Sequence, residues 1–76
     1  MTPEDRLAYA IKLYQEEDYE EAVKEFDAII LQYPGSSISD DAQYYLALTR
    51  FQREEYILGA YQFSKLIKSM PSSEFL

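Results

Sequence analysis

The chain has 76 residues, with 14 Asp and Glu against 7 Lys and Arg, no His and no Cys, so it is at most one small acidic domain. A net charge of −7 lacks the clustered bases that a phosphate backbone requires and opposes an anionic membrane surface, which excludes a nucleic-acid partner. Without His or Cys there is no usual catalytic triad, no imidazole or thiolate metal site and no disulfide framework. An apolar content of 47% is ordinary for a globular chain and argues against disorder. No apolar run approaches the ~18 residues that a membrane-spanning helix needs, so this segment does not insert directly into a bilayer. No basic-then-apolar export signal opens it.

In chain order, Thr2-Pro3-Glu4-Asp5 is a strong helix start. Thr2 is the cap, Pro3 the first helical residue, and Asp5 completes a capping box. The first helix runs to about Glu16 and carries Leu7, Ala8, Tyr9, Ala10, Ile11, Leu13 and Tyr14. That apolar stripe is wider than one buried face needs, so contact on two sides is expected. Glu16-Glu17-Asp18 forms a short polar turn. Asp18 caps the second helix, with Glu21 placed for a second box, and Ala22, Phe26, Ile29 and Ile30 follow on one face. Pro34 disfavours helical geometry at Tyr33 and Gly35 releases the chain into a loop. Ser37 and Asp40 are placed as a third capping box. A third helix is expected from about Ser39 to Arg53, and a fourth from Tyr56 to Ser69, stopping at Pro71. No alternation demands a strand, so the fold class is all-α.

The second half repeats the first at an offset of 37 residues. Tyr19 falls on Tyr56, Phe26 on Phe63, Ile30 on Ile67 and Pro34 on Pro71. Ala22 falls on Gly59 and Ile29 on Leu66. Upstream, Ala10 falls on Ala47, Ile11 on Leu48, Tyr14 on Phe51, Gln15 on Gln52 and Glu17 on Glu54. A repeat of this length made of two helices is a stacking unit, because neither hairpin can bury its apolar face alone. The expected organisation is one unit over 1–76, with repeat 1 at about 3–36 and repeat 2 at about 40–73.

Four helices in two Pro-closed hairpins resemble the tetratricopeptide repeat, whose Ala-x3-Phe…Pro signature stands here as Ala22-x3-Phe26…Pro34 and as Gly59-x3-Phe63…Pro71. The first half of the pattern departs from that family. Its Trp position holds Arg6 or Gln43 and its Tyr position Leu13 or Arg50, while the spacing exceeds the usual length of about 34. The lengthened loop and the helical stretch behind it, Tyr-Pro-Gly-Ser-Ser-Ile-Ser-Asp-Asp-Ala-Gln-Tyr-Tyr-Leu-Ala over residues 33 to 47, are similar to the repeats of bacterial envelope proteins. They most resemble the N-terminal repeats of BamD-type lipoproteins of the outer-membrane β-barrel assembly machinery. The periplasmic YbgF/CpoB-type proteins are a second likeness. The first resemblance implies a lipidated cysteine upstream and a location on the periplasmic face of the outer membrane. A generic cytoplasmic adaptor of the same repeat class is a third reading. Phe75 is the repeat equivalent of Ile38, so a fifth helix and further repeats are expected beyond the last residue.

The paired acids Glu16-Glu17, Glu20-Glu21, Asp40-Asp41 and Glu54-Glu55 stand near helix starts, where negative charge suits the macrodipole. Sequence neighbours on a helix also point apart. They read as solvated rather than catalytic, no cofactor is implied, and an enzyme is not expected. The expected role is protein or peptide binding. The resemblance places the first helix of each hairpin on the concave surface and the second on the convex one. Carried over, the binding positions are Leu7, Ile11, Tyr14 and Gln15, with Tyr44, Leu48, Phe51 and Gln52. Each aromatic has core packing as its plain alternative. The paired bases that would clamp a terminal carboxylate are missing, so an extended aromatic-rich segment is the more natural guest. A scaffold whose face is filled by another part of the same protein is the competing reading. An uncovered fourth helix, with Ile57, Ala60, Tyr61, Ser64 and Ile67 toward water, is expected to support self-association.

Overall fold

The structure, a computed structural model, describes residues 2–69. It contains four α-helices, α1 (Pro3–Gln15), α2 (Tyr19–Gln32), α3 (Ser37–Gln52) and α4 (Tyr56–Ser69), and no strand among the described residues. Pro71, the expected stop of α4, lies outside them. The all-α expectation holds, and each helix packs on its chain neighbour, while α1 also touches α3. The two-sided contact read from the width of its apolar stripe is therefore present. Part of that stripe is nonetheless left over, since Ala8 and Tyr9 are exposed.

Local chemistry explains most helix ends. The Asp5 N–H donates to Thr2 Oγ1 at 3.1 Å, and the Thr2 N–H donates back to Asp5 Oδ2 at 3.5 Å, with Pro3 at the first helical position. Two of the expected caps are corrected. Asp18 makes no side-chain cap hydrogen bond; its ψ of 68 is not extended, and its own N–H is already committed to Leu13 O at 2.9 Å. The cap of α3 is Ser36, one residue earlier than expected, so the Ser37–Asp40 box does not form and the helix starts at Ser37. Ser36 Oγ accepts from the Ser39 N–H at 3.0 Å and donates to Tyr33 O at 2.7 Å, joining the end of α2 to the start of α3. Tyr33 ends α2 ahead of Pro34, and Gly35 supplies a φ of +76.

The repeat is closely kept in the turns inside each hairpin. Glu17 and Glu54 both take left-handed backbone, at φ 63 and 62. The Glu17 N–H donates to Tyr14 O and the Asp18 N–H to Leu13 O; Glu54 donates to Phe51 O and Glu55 to Arg50 O in the same way. This is a Schellman ending with a glutamate where glycine is usual.

Ala10, Leu13, Ala22, Val23, Phe26, Ile29, Ala42 and Leu46 form the core, with Leu7, Ile11, Tyr14, Ile30, Tyr33, Ile38 and Tyr45 packed around it. Small residues set how closely helices approach. Ala10, Ala22, Ala42 and Ala47 are wholly buried. Gly59 stands where a Cβ would lie 3.1 Å from the Phe51 ring. Polar ties run along the edges: Arg6 on α1 reaches Glu25 at 3.4 Å and Gln32 Oε1 at 3.1 Å on α2. Arg50 pairs with Glu55 at 3.2 Å across the second hairpin turn.

Candidate protein-interaction face

α1 and α3 carry the expected binding positions in matching registers, at i, i+4, i+7 and i+8: Leu7, Ile11, Tyr14, Gln15 and Tyr44, Leu48, Phe51, Gln52. That spacing puts each set along one helix stripe. The structure separates them by environment. Leu7, Ile11 and Tyr14 are half-buried against the core, and Leu48 and Phe51 are half-buried. Gln15 and Gln52 are exposed, and Tyr44 is 45% exposed.

The aromatic members belong to one continuous run of rings. Tyr14 lies against Tyr19 at 6.0 Å and edge-on to Tyr45 at 5.8 Å. Tyr45 stacks on the buried Phe26 at 5.9 Å and 12° and meets Tyr44 edge-on at 5.4 Å. Tyr44 then reaches Phe63 at 6.1 Å, Phe63 reaches Phe51 at 5.5 Å, and Phe51 reaches Tyr56 at 6.0 Å. Tyr14–Tyr19 and Phe51–Tyr56 are the same contact one repeat apart. Ring pairs of this geometry add roughly 0.5–1.5 kcal/mol each beyond the area they bury. Tyr14, Tyr44 and Phe51 therefore each take part in packing between helices while keeping an open edge, whereas Gln15 and Gln52 are exposed and take no part in the ring contacts.

Sequence reasoning did not single out Tyr45 as the hub of this run. Its signal was its place, three residues after the buried Ala42 and next to Leu46, on the side of α3 that turns to α2. Nor did it single out Leu58, 45% exposed on α4.

The electrostatics around the face are mild. The Asp27 carboxyl is held above its ordinary range by burial, against the opposing pull of Arg50 and then Lys65. The hydrogen bond from Lys24 to Glu21 raises the ammonium's pKa at the exposed side of α2. Among the described residues, the buried side-chain atoms Gln43 Oε1 and Arg50 Nε find no hydrogen-bond partner. No group of His, Cys, Asp or Glu among the described residues is arranged to hold a metal ion. No helix among them is long and apolar enough to cross a membrane.

Two helical hairpins repeated at one offset, with matching turns and a shared core, define a tandem tetratricopeptide-type repeat, an architecture whose surfaces serve protein contacts. Residues 1–76 match the YfiO family, described as outer membrane lipoprotein, and the chain belongs to that family. The match runs the whole length of the chain and agrees with the BamD-type likeness of its loop and helix motifs. No curated protein and no solved structure matches it.

Proposed function

We propose that this chain is a protein-binding segment of an outer-membrane β-barrel assembly lipoprotein, acting at the periplasmic face of the outer membrane. The α1 and α3 face takes extended, aromatic-bearing segments of client or partner proteins. The observation that carries this reading is the doubled stripe, Leu7-Ile11-Tyr14-Gln15 and Tyr44-Leu48-Phe51-Gln52. It presents apolar edges and free amide side chains at the same places in both repeats. An extended guest would lay alternate side chains against the apolar edges, while Gln15 and Gln52 bond its backbone. In this reading repeat 1, about 3–36, and repeat 2, about 40–73, act as one unit with no cofactor and no catalytic step.

The second reading, a scaffold whose face is covered by another part of the same protein, draws on the ring contacts of Tyr14 and Phe51. Gln15→Ala combined with Gln52→Ala separates the two, because both side chains are exposed and neither takes part in the ring contacts. Titration of a labelled unstructured peptide with alternating aromatic residues is expected to weaken about tenfold, for a loss of roughly 1.4 kcal/mol, with the melting curve little changed. Unaltered peptide binding together with lower stability supports the scaffold instead.

A further inference from the structure

The two hairpins match in backbone but differ in what their second helices carry on the outer side. Where α2 has the charged Glu20, Glu21 and Lys24, α4 has Ile57, Leu58 and Tyr61, exposed at 87%, 45% and 57%. On a helix these three positions fall within an arc of about 100°, so they form one patch. At its edge, Glu54, Glu55, Tyr56, Ile57 and Leu58 line a cavity of about 320 Å³. α2 shows what a following hairpin does to these positions, because α3 and α4 already follow it. Its stripe Tyr19, Val23, Phe26 and Ile30 is buried or half-buried. Glu17, Asp18, Glu20, Glu21 and Lys24 nonetheless stay exposed, with the Glu21 and Lys24 side chains at 50% and 63%. Further helices stacked in the same way would cover Tyr56, Ala60, Phe63 and Ile67 and leave Ile57, Leu58 and Tyr61 open. The patch therefore belongs to the outer side of the solenoid, and contiguous apolar surface there marks an interaction site.

We propose that this patch docks a basic amphipathic segment of a partner protein. The segment lays large apolar side chains on Ile57, Leu58 and Tyr61 and places a Lys or Arg in the cavity beside Glu54. Charge decides the occupant. Both hairpin turns lie at the same end of the molecule, so the exposed Glu16, Glu17, Asp18 and Glu20 stand toward the same end as Glu54. Of the bases there, Lys24 is engaged by Glu21 at 3.2 Å and Arg53 by Glu55 at 3.7 Å, which leaves Lys12 against the remaining acids. The cavity joins carboxylates to apolar walls, which suits the long aliphatic stem and charged tip of a basic side chain. At the other margin the Lys65 ammonium lies over the Tyr61 ring, 5.5 Å from its centre. It repels a second cation, so the partner's bases are directed to the Glu54 end. The same charges disfavour other occupants. A second copy, at a net charge of −7, would bring its own acids to an acidic rim, and an anionic lipid surface would be repelled likewise. This site is separate from the α1 and α3 face, and its partner differs from an extended aromatic guest in needing a base.

So small a patch falls at or below the low end of specific interfaces, about 1,200 Å² in total, so binding is weak and sensitive to salt. The test uses the dilute, isotope-labelled full chain and two synthetic amphipathic peptides with the same leucine pattern. One carries lysine at its polar positions and the other glutamate. The lysine peptide is expected to shift the amides of Glu54, Ile57, Leu58 and Tyr61 saturably, and the glutamate peptide to leave them in place. Ile57→Gln with Leu58→Gln should weaken the lysine peptide at least about tenfold, roughly 1.4 kcal/mol. The melting curve should not move, because the equivalent places in α2 carry exposed charges. Glu54→Gln should weaken binding about threefold and flatten its salt dependence. Equal binding of the two peptides, or binding untouched by the double change, would overturn the proposal. So would shifts centred on Ala60, Phe63 and Ile67, or on Ile11, Gln15 and Leu48. The same shifts produced by protein concentration alone would give the patch to a second copy and overturn it too.

Discussion

Glu17 and Glu54 are the two non-glycine residues with positive φ among those described, and both pin a hairpin turn. A left-handed conformation costs an L-residue roughly 1–2 kcal/mol, which glycine avoids at the expense of a more flexible unfolded chain. Glu17→Gly is expected to stabilise the fold by about 0.5–1 kcal/mol in urea denaturation, and Glu54→Gly by a similar amount. A loss of stability would mean that the glutamate side chains make a compensating contact. Asp27 shows the other way a residue can act against its fold. Its folded-state pKa is raised by burial, so the neutral form favours the native state. That contribution is complete below the ordinary carboxylate range and is lost as pH rises through the raised value. Asp27→Asn removes the titration. The variant should be the more stable protein at pH 7, with the gap closing as the pH falls through the raised value and gone below about 4. A gap independent of pH would show that Asp27 is not the group responsible.

At the scale of elements, the caps separate what residue type announces from what backbone geometry allows. Thr2 and Ser36 both take extended backbone and cap their helices, whereas Asp18 sits inside the Schellman turn. Ser36→Ala is expected to cost about 1 kcal/mol, since it removes both the Ser39 cap and the tie to Tyr33. Ser37→Ala and Asp18→Ala should cost no more than a few tenths of a kcal/mol. Equal losses at the three positions in thermal melts would contradict this assignment. The helices themselves were legible because Pro3, Pro34 and Gly35 punctuate the chain and because Ala22, Phe26 and Ile29 share one face. The choice between Ser36 and Ser37 was not, because in Ser36-Ser37-Ile38-Ser39 several hydroxyls compete and backbone direction decides. The role of Asp18 was hidden by the same turn that its repeat equivalent Glu55 makes, visible only once both turns are seen in three dimensions.

At the scale of the molecule, the 37-residue offset governs the core, the turns and the ring contacts together. The expected binding stripe on α1 and α3 comes from the tetratricopeptide resemblance, and the offset only sets its two halves in the same register. What the offset does not reveal is how much of each side chain packing consumes: Tyr14, Tyr44 and Phe51 are engaged by neighbouring rings, while Gln15 and Gln52 remain open. Membership of the outer membrane lipoprotein family supplies the setting, and the proposed guest follows from the chemistry of the stripe. The binding claim is tested most directly by backbone NMR of dilute, labelled protein titrated with an unstructured peptide of alternating aromatic and polar residues. Shift changes should cluster at Ile11, Gln15, Tyr44, Leu48 and Gln52. Changes confined to α4, or none at peptide concentrations well into the millimolar range, would contradict it.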